Sequence, residues 1–271
     1  MKNHKEMPPV MILCGGEGTR LRDVTELLPK PMVPIGSHPI VWHIMRSYAA
    51  FGVRRFILCL GYKRETFIDY FMNYHARASD ITLKLGKRSD IVYHDGHGEE
   101  EWEVTLADTG DRTMTGGRIA RASKYLKPDD EDFFLTYGDA VSDIDINALL
   151  EKHRQAQKKL TVSAVHPEGR YGNIVLGEKG QVIAFREKAL ADSDLISGGF
   201  MVASRTMIDE YLEPSDQLVF EQGPVDSIVA DGEMAAYEHA GFWQCMDTAR
   251  EHAMLNELWE SGNAPWKRFW L

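Results

Sequence analysis

The sequence predicts an α/β fold: a mixed, mostly parallel sheet flanked by helices and carrying β-rich insertions, in one domain over residues 1–271. Three observations carry this expectation. Short apolar, β-rich runs alternate with stretches of helical periodicity, a spacing that calls for parallel strands and right-handed crossovers. Around residues 81–108 and 173–188 the pattern changes to short strands with polar turns, as insertions would. No internal repeat or low-complexity linker divides the chain.

The elements follow in order. Val10–Leu13 (VMIL) is short and met at once by Gly15-Gly16, as a buried strand feeding a loop would be. Residues 38–52 repeat Ile40, Ile44, Met45 and Tyr48 at helical spacing and stop at Gly52, a capping glycine. RRFILCLGY is a second buried strand, and ETFIDYFMNYHA a second helix with Phe67, Tyr70, Phe71 and Tyr74 on one side. ITLKL, DIVYH and EVTLAD are short strands around the charged loop HDGHGEEEWE. GGRIARASKYLK resumes a helix, and DFFLTYGDA is a strand ending at Gly138-Asp139. DINALLEKHRQAQKK and LTVSAVH continue the helix–strand alternation. NIVLGEKGQVIAFREK is a hairpin turning at Gly177–Gly180. Then come ISGGFMVAS, helical patches at 206–212 and 220–231, a strand pair around MAAYEHAGFWQCMD and a last amphipathic helix, TAREHAMLNELWES. Residues 232–271 are expected to form a small C-terminal extension, with Trp259, Trp266 and Trp270 packing it on the body or on a neighbouring subunit.

Bulk properties narrow the function. Hydrophobic content of 44% and charged content of 27% suit a soluble globular protein. No apolar run approaches the ~20 residues that span a bilayer, and Val10–Leu13 is shorter than the roughly seven apolar residues of a secretory signal. A cytoplasmic location is expected. A formal net charge of −10 argues against general nucleic-acid binding, which uses a basic face. Local clusters of Arg and Lys are therefore informative. The three cysteines, Cys14, Cys59 and Cys245, form neither a disulfide framework nor a CxxC pair and read as buried thiols.

Such a cluster stands in LCGGEGTRLRDVTELLPKPMVPIG, residues 13–36. Glycines between a strand and a helix let backbone N–H groups approach an anion. The familiar phosphate loops do not fit. A Walker loop needs Lys-Ser or Lys-Thr after its glycines, and a dinucleotide fingerprint needs a glycine where Leu21 stands. Lys30 is locked between Pro29 and Pro31, whose rings restrict the backbone and lower the entropy lost in placing its ammonium.

Taken together, L-x-G-G-x-G-T-R-L at Leu13–Leu21 and T-x3-P-K-P-M at Thr25–Met32 resemble the signature of the sugar-1-phosphate nucleotidyltransferases. The resemblance covers nearly the whole chain and narrows to the glucose-1-phosphate cytidylyltransferases. It is carried by IGSHPIVWHIM, Gly61-Tyr62-Lys63, VTLADTGDRTMTGG, TYGD, FREK, SGGF, GFWQCMDT and the closing GNAPWK. It implies the Rossmann-like fold of that family and formation of CDP-glucose and pyrophosphate from CTP and α-D-glucose 1-phosphate, by Mg²⁺-assisted in-line attack without a covalent intermediate. It also implies a homo-oligomer acting in nucleotide-sugar biosynthesis toward deoxysugars or O-antigen.

Carried over by position, Leu13, Gly15, Gly16, Gly18, Thr19 and Arg20 would bind the nucleotide, with Arg20 and Lys30 as the catalytic cations. Thr113, Arg118 and Gly138 would complete nucleotide recognition, and guanidinium donors suit the O2 and N3 acceptors of cytosine. Glu187, Lys188, Gly198 and Gly199 would hold the sugar phosphate, and Asp139 and Asp247 the Mg²⁺. The chain departs from the family pattern at Ala140, where glycine is usual, and at Ala189 and Cys245, where proline is usual. Alternatives are the same chemistry on another nucleotide or another phosphorylated sugar or sugar-like molecule, and a non-catalytic nucleotide-sugar sensor. The sensor predicts loss of the lysine or the metal positions, yet Lys30, Asp139 and Asp247 are all present. His94, His97, Glu99 and Glu101 fit no closed zinc spacing and read as a solvated loop.

Overall fold

A seven-stranded sheet organises the molecule. The computed structural model describes residues 6–16, 28–86, 90–94, 96–99, 101–166, 173–176, 181–186 and 195–270. In chain order the strands are β1 (Val10–Leu13), β2 (Pro34–Ile35), β3 (His38–Pro39), β4 (Arg55–Leu60), β5 (Ile81–Leu83), β6 (Ile91–Tyr93), β7 (Glu103–Asp108) and β8 (Asp132–Tyr137). They continue as β9 (Ala140–Ser142), β10 (Leu160–Val165), β11 (Asn173–Leu176), β12 (Val182–Arg186), β13 (Ile196–Ser204), β14 (Met234–His239) and β15 (Trp243–Cys245). The helices are α1 (Ile40–Ala49), α2 (Arg64–Met72), α3 (Tyr74–Ala78), α4 (Thr115–Ala122), α5 (Ile146–Ala156), α6 (Arg205–Tyr211), α7 (Pro224–Ala230) and α8 (Ala249–Glu260).

The sheet runs β14-β10-β13-β8-β1-β4-β7. Only β13 is antiparallel to its neighbours, so the sheet is mixed and mostly parallel, as expected. All four residues of β1 are buried, because helices cover both faces. Val10 and Ile12 point into one core with Ile40, Ile44 and Tyr48 of α1. Met11 and Leu13 point into the other with Ile119 of α4 and Met207 of α6. Truncating such a side chain, as in Ile12→Ala, should destabilise by about 2–5 kcal/mol.

Three elements differ from the sequence expectation. The helix over 65–76 breaks at Asn73 (φ −103°), giving α2 and α3. EVTLAD is no part of an insertion: it pairs in parallel with β4 and forms the sheet edge. The two strands of MAAYEHAGFWQCMD do not pair with each other; β14 joins β10 in parallel, and β15 joins β9 antiparallel. In the two strand cases tertiary pairing overrides what short apolar runs signal locally.

The tail after β15 folds back on α1. Trp266 is buried, and its indole N–H donates to His43 Nδ1 at 3.3 Å while His43 Nε2 donates to Ile35 O at 2.9 Å. This fixes the neutral tautomer of a buried ring. Among the described residues no helix is long and apolar enough to cross a membrane.

Candidate active site

Because β1, β4, β7 and β8 run parallel, their carboxyl ends open on the same edge of the sheet, where α/β folds build sites. β1 leads into Cys14-Gly15-Gly16. Cys14 N donates to Cys59 O (3.1 Å) and Gly138 N to Leu13 O (3.0 Å), so the end of β1 is held between the ends of β4 and β8. A Cβ on Gly138 would stand 2.9 Å from Pro31 Cγ and 3.2 Å from Cys14 Sγ. Only glycine there lets the Lys30 turn rest on the end of β8. Among the described residues a Cβ on Gly16 would meet nothing within 4 Å.

Lys30 begins a 3₁₀ turn, Lys30–Met32, behind Pro29 (φ −65°). Met32 N donates to Pro29 O (2.8 Å) and Val33 N to Lys30 O (3.1 Å). The ammonium donates to Asp139 Oδ2 at 2.7 Å and also to Asp247 Oδ1. Asp139 follows β8, and Asp247 follows β15. The two acids meet because β9 and β15 pair as Ala140↔Cys245, Val141↔Gln244 and Ser142↔Trp243, and Met246 N donates to Asp139 O (2.8 Å). Burial opposes the charge on Lys30, but the field of Asp139 and the hydrogen bonds to both carboxylates outweigh it and raise its pKa above the ordinary lysine value.

Asp139, Cys245 and Asp247 offer ligand atoms within 4.8 Å of one another. The donor set fits a hard divalent cation. Two carboxylates already converge on one positive group, and such ions take oxygen ligands. Burial, followed by the field of Asp139, raises the Cys245 pKa and keeps its thiol neutral, so the carboxylates are the donors that suit a hard ion.

At Arg118 the structure reports something the sequence did not. Arg118 is buried, its guanidinium filling the space beside Gly15 and Gly61 where a Cβ would stand. Nη1 donates to Leu60 O (3.0 Å), Thr109 Oγ1 (2.9 Å) and Gly110 O (2.8 Å), and Nη2 to Asp111 O (3.2 Å). These donors hold the 109–111 loop and prop the glycine loop from beneath. Burial lowers the Arg118 pKa from its ordinary value. Thr113 is buried and accepts from Arg121 Nη1 at 2.7 Å.

Gly198 and Gly199 lie within the first half of β13 and are demanded by the protein's own packing. Gly199 (φ +75°) lies against the Tyr137 ring, and a Cβ on Gly198 would stand 2.7 Å from Ser163 Oγ. Gly198 O also accepts from Trp243 Nε1 at 2.7 Å. A linkage the motifs did not reveal sits beside them. The Tyr137 hydroxyl donates to Glu221, which also accepts from Thr115 Oγ1 at 2.6 Å. TYGD and MTGG contain Tyr137 and Thr115, but no local pattern marks Glu221. Gly18, Thr19, Arg20, Glu187 and Lys188 lie outside the described residues.

Residues 9–249 match the family model described as nucleotidyl transferase. The chain belongs to that family. Over 257 residues it is 46% identical to the glucose-1-phosphate cytidylyltransferases of Salmonella typhi and Salmonella typhimurium, a match covering 95% of this chain and 98% of each relative. In fold it is similar to the crystal structure of HddC from Yersinia pseudotuberculosis, with a TM-score of 0.66 and 25% identity over 93% of this chain and 100% of that one. The chain is an enzyme of nucleotidyl transfer, a reaction between a nucleoside triphosphate and a sugar 1-phosphate. The cluster of Lys30, Asp139 and Asp247 is its candidate centre.

Proposed function

We propose that the chain transfers the cytidylyl group of CTP to α-D-glucose 1-phosphate, giving CDP-glucose and pyrophosphate. The observation that carries this reading is the Lys30 ammonium lying between Asp139 and Asp247 at the carboxyl end of the sheet. Likeness to the Salmonella cytidylyltransferases supports the choice of base and sugar.

A phosphate oxygen of the sugar phosphate bonds to the α-phosphorus of CTP while the bond from that phosphorus to the bridging oxygen breaks in line, and the electron pair leaves with pyrophosphate. Both reactants are polyanions, so rate comes from placement and charge neutralisation rather than from an enzyme nucleophile. Lys30, whose pKa is raised, keeps its proton and acts as a fixed charge and donor at the reacting phosphate, not as a base. Backbone N–H groups at Gly15 and Gly16, with Arg20, take the triphosphate, while Thr113 and the loop held by Arg118 form the nucleotide end. Lys188, with Glu187, anchors the incoming sugar phosphate beside Gly198 and Gly199. Asp139 and Asp247 would hold Mg²⁺, which when bound neutralises phosphate charge and stabilises the departing oxygen.

The test is pyrophosphate release over a matrix of four nucleoside triphosphates and several sugar 1-phosphates with Mg²⁺. CTP with glucose 1-phosphate should be fastest. Equal rates with all four nucleotides would remove the cytidine assignment, and fastest release with a different sugar would remove glucose.

A further inference from the structure

Lys30 and Asp247 come from opposite ends of the sequence, yet the proposed chemistry needs them at a fixed separation. Helix α8 spans both. Asp247 lies just ahead of it, and a capping box closes its first turn. Thr248 Oγ1 accepts from Glu251 N at 3.2 Å, and the Glu251 carboxylate accepts from Thr248 N at 2.8 Å and from Asp247 N at 2.7 Å. The main chain of Asp247 is thereby fastened to the helix.

Further along α8, His252 and Asn256 recur one turn apart on the same face. That face lies against the segment that follows the Lys30 turn. His252 Nε2 donates to Pro34 O at 2.9 Å, and Asn256 Oδ1 accepts from Gly36 N at 2.9 Å. Asn256 Nδ2 donates to His252 O at 2.9 Å, which sets which way the amide points. The Trp259 indole occupies the space a Cβ on Gly36 (φ +60°) would need. One rod therefore carries Asp247 at its head and grips the Lys30 segment along its side.

We infer that Asn256 and His252 are positioning residues for the transfer reaction. They act through the main chain of Pro34–Gly36 and set where the Lys30 ammonium stands relative to Asp247, without touching substrate. A displacement of about 1 Å at a reacting centre can lower a rate by about 10²-fold, so two hydrogen bonds at this lever are enough to matter. The inference rests on the proposed roles of Lys30 and Asp247, and its test separates the two.

Asn256→Ala removes the acceptor for Gly36 N–H, and Asn256→Asp keeps that acceptor while giving up the Nδ2 donor to His252 O. Assayed beside Lys30→Ala, Asn256→Ala should lower kcat by about tenfold or more while KM for both substrates stays within about twofold, the mark of an interaction felt in the transition state. Asn256→Asp should recover most of that loss. Should Asn256→Ala fail to fold, His252→Ala, which leaves the Gly36 bond in place, carries the same test. Parental kcat in the folded alanine variant, or an Asn256→Asp enzyme as slow as Asn256→Ala, overturns the positioning role. Parental turnover in Lys30→Ala overturns the reading beneath it.

Discussion

The Lys30 ammonium touches the carboxylates of Asp139 and Asp247 together, at 2.7 Å from Asp139 Oδ2. One cation thus joins the turn after Pro29, the end of β8 and the residues after β15. The contact keeps two acids close that would otherwise repel.

Lys30→Ala is expected to lower turnover at saturating substrate by at least about tenfold, the equivalent of about 1.4 kcal/mol of transition-state stabilisation. Steady-state kinetics on the purified variant measure it. A turnover equal to that of the parent would remove Lys30 from the reaction.

Gly138→Ala tests the seat of the same turn. The added methyl meets Pro31 and Cys14 side chains at 2.9–3.2 Å, so the turn must lift from β8. Overpacking of this kind costs about 1–3 kcal/mol, readable as a lower urea midpoint, and turnover should fall with it. Gly16→Ala is the contrast. Among the described residues nothing stands within 4 Å of the added methyl, so stability should stay within about 0.5 kcal/mol while the KM for CTP rises. Equal destabilisation by both would contradict the geometry.

His43 sets a pH dependence of stability. Burial lowers its pKa from 6.5 to about 4, despite the hydrogen bond to Ile35 O. Well above pH 6.5 neither the folded nor the unfolded chain protonates this ring. As pH falls from there toward about 4, the unfolded chain takes up a proton that the folded one refuses, so stability drops by up to about 1.4 kcal/mol per unit. Thermal melts of His43→Asn should show a shallower fall in Tm between about pH 7 and pH 5 than the parent. Parallel curves would show that another group governs this range.

Much of this centre is legible in the sequence. PKP, TYGD and GFWQCMDT each carry one member of the Lys30, Asp139 and Asp247 cluster, and the structure brings all three into contact. Contact between the lysine and the acids was not legible. It depends on the β9–β15 ladder, two three-residue strands too short to announce a partner so distant in sequence. The glycines were legible as special positions but not in their reasons. Gly15 and Gly61 flank a buried guanidinium, and Gly199 accommodates Tyr137. Those demands come from side chains remote in sequence, which no local pattern records. Asn73 breaks a helix that periodicity alone would have continued, since the aromatic stripe runs on through the break.

Arg118 answers a tension in the composition. In a chain of net charge −10, anions approaching the molecule meet an unfavourable field. A lysine or arginine on the surface would counter it only until salt intervened, because exposed charges more than a Debye length apart are screened. Arg118 instead sits beneath the bare Gly15 backbone, sealed from solvent, and its field reaches the loop through protein. The attraction proposed between that loop and a triphosphate should accordingly outlast ionic strengths that abolish purely superficial steering.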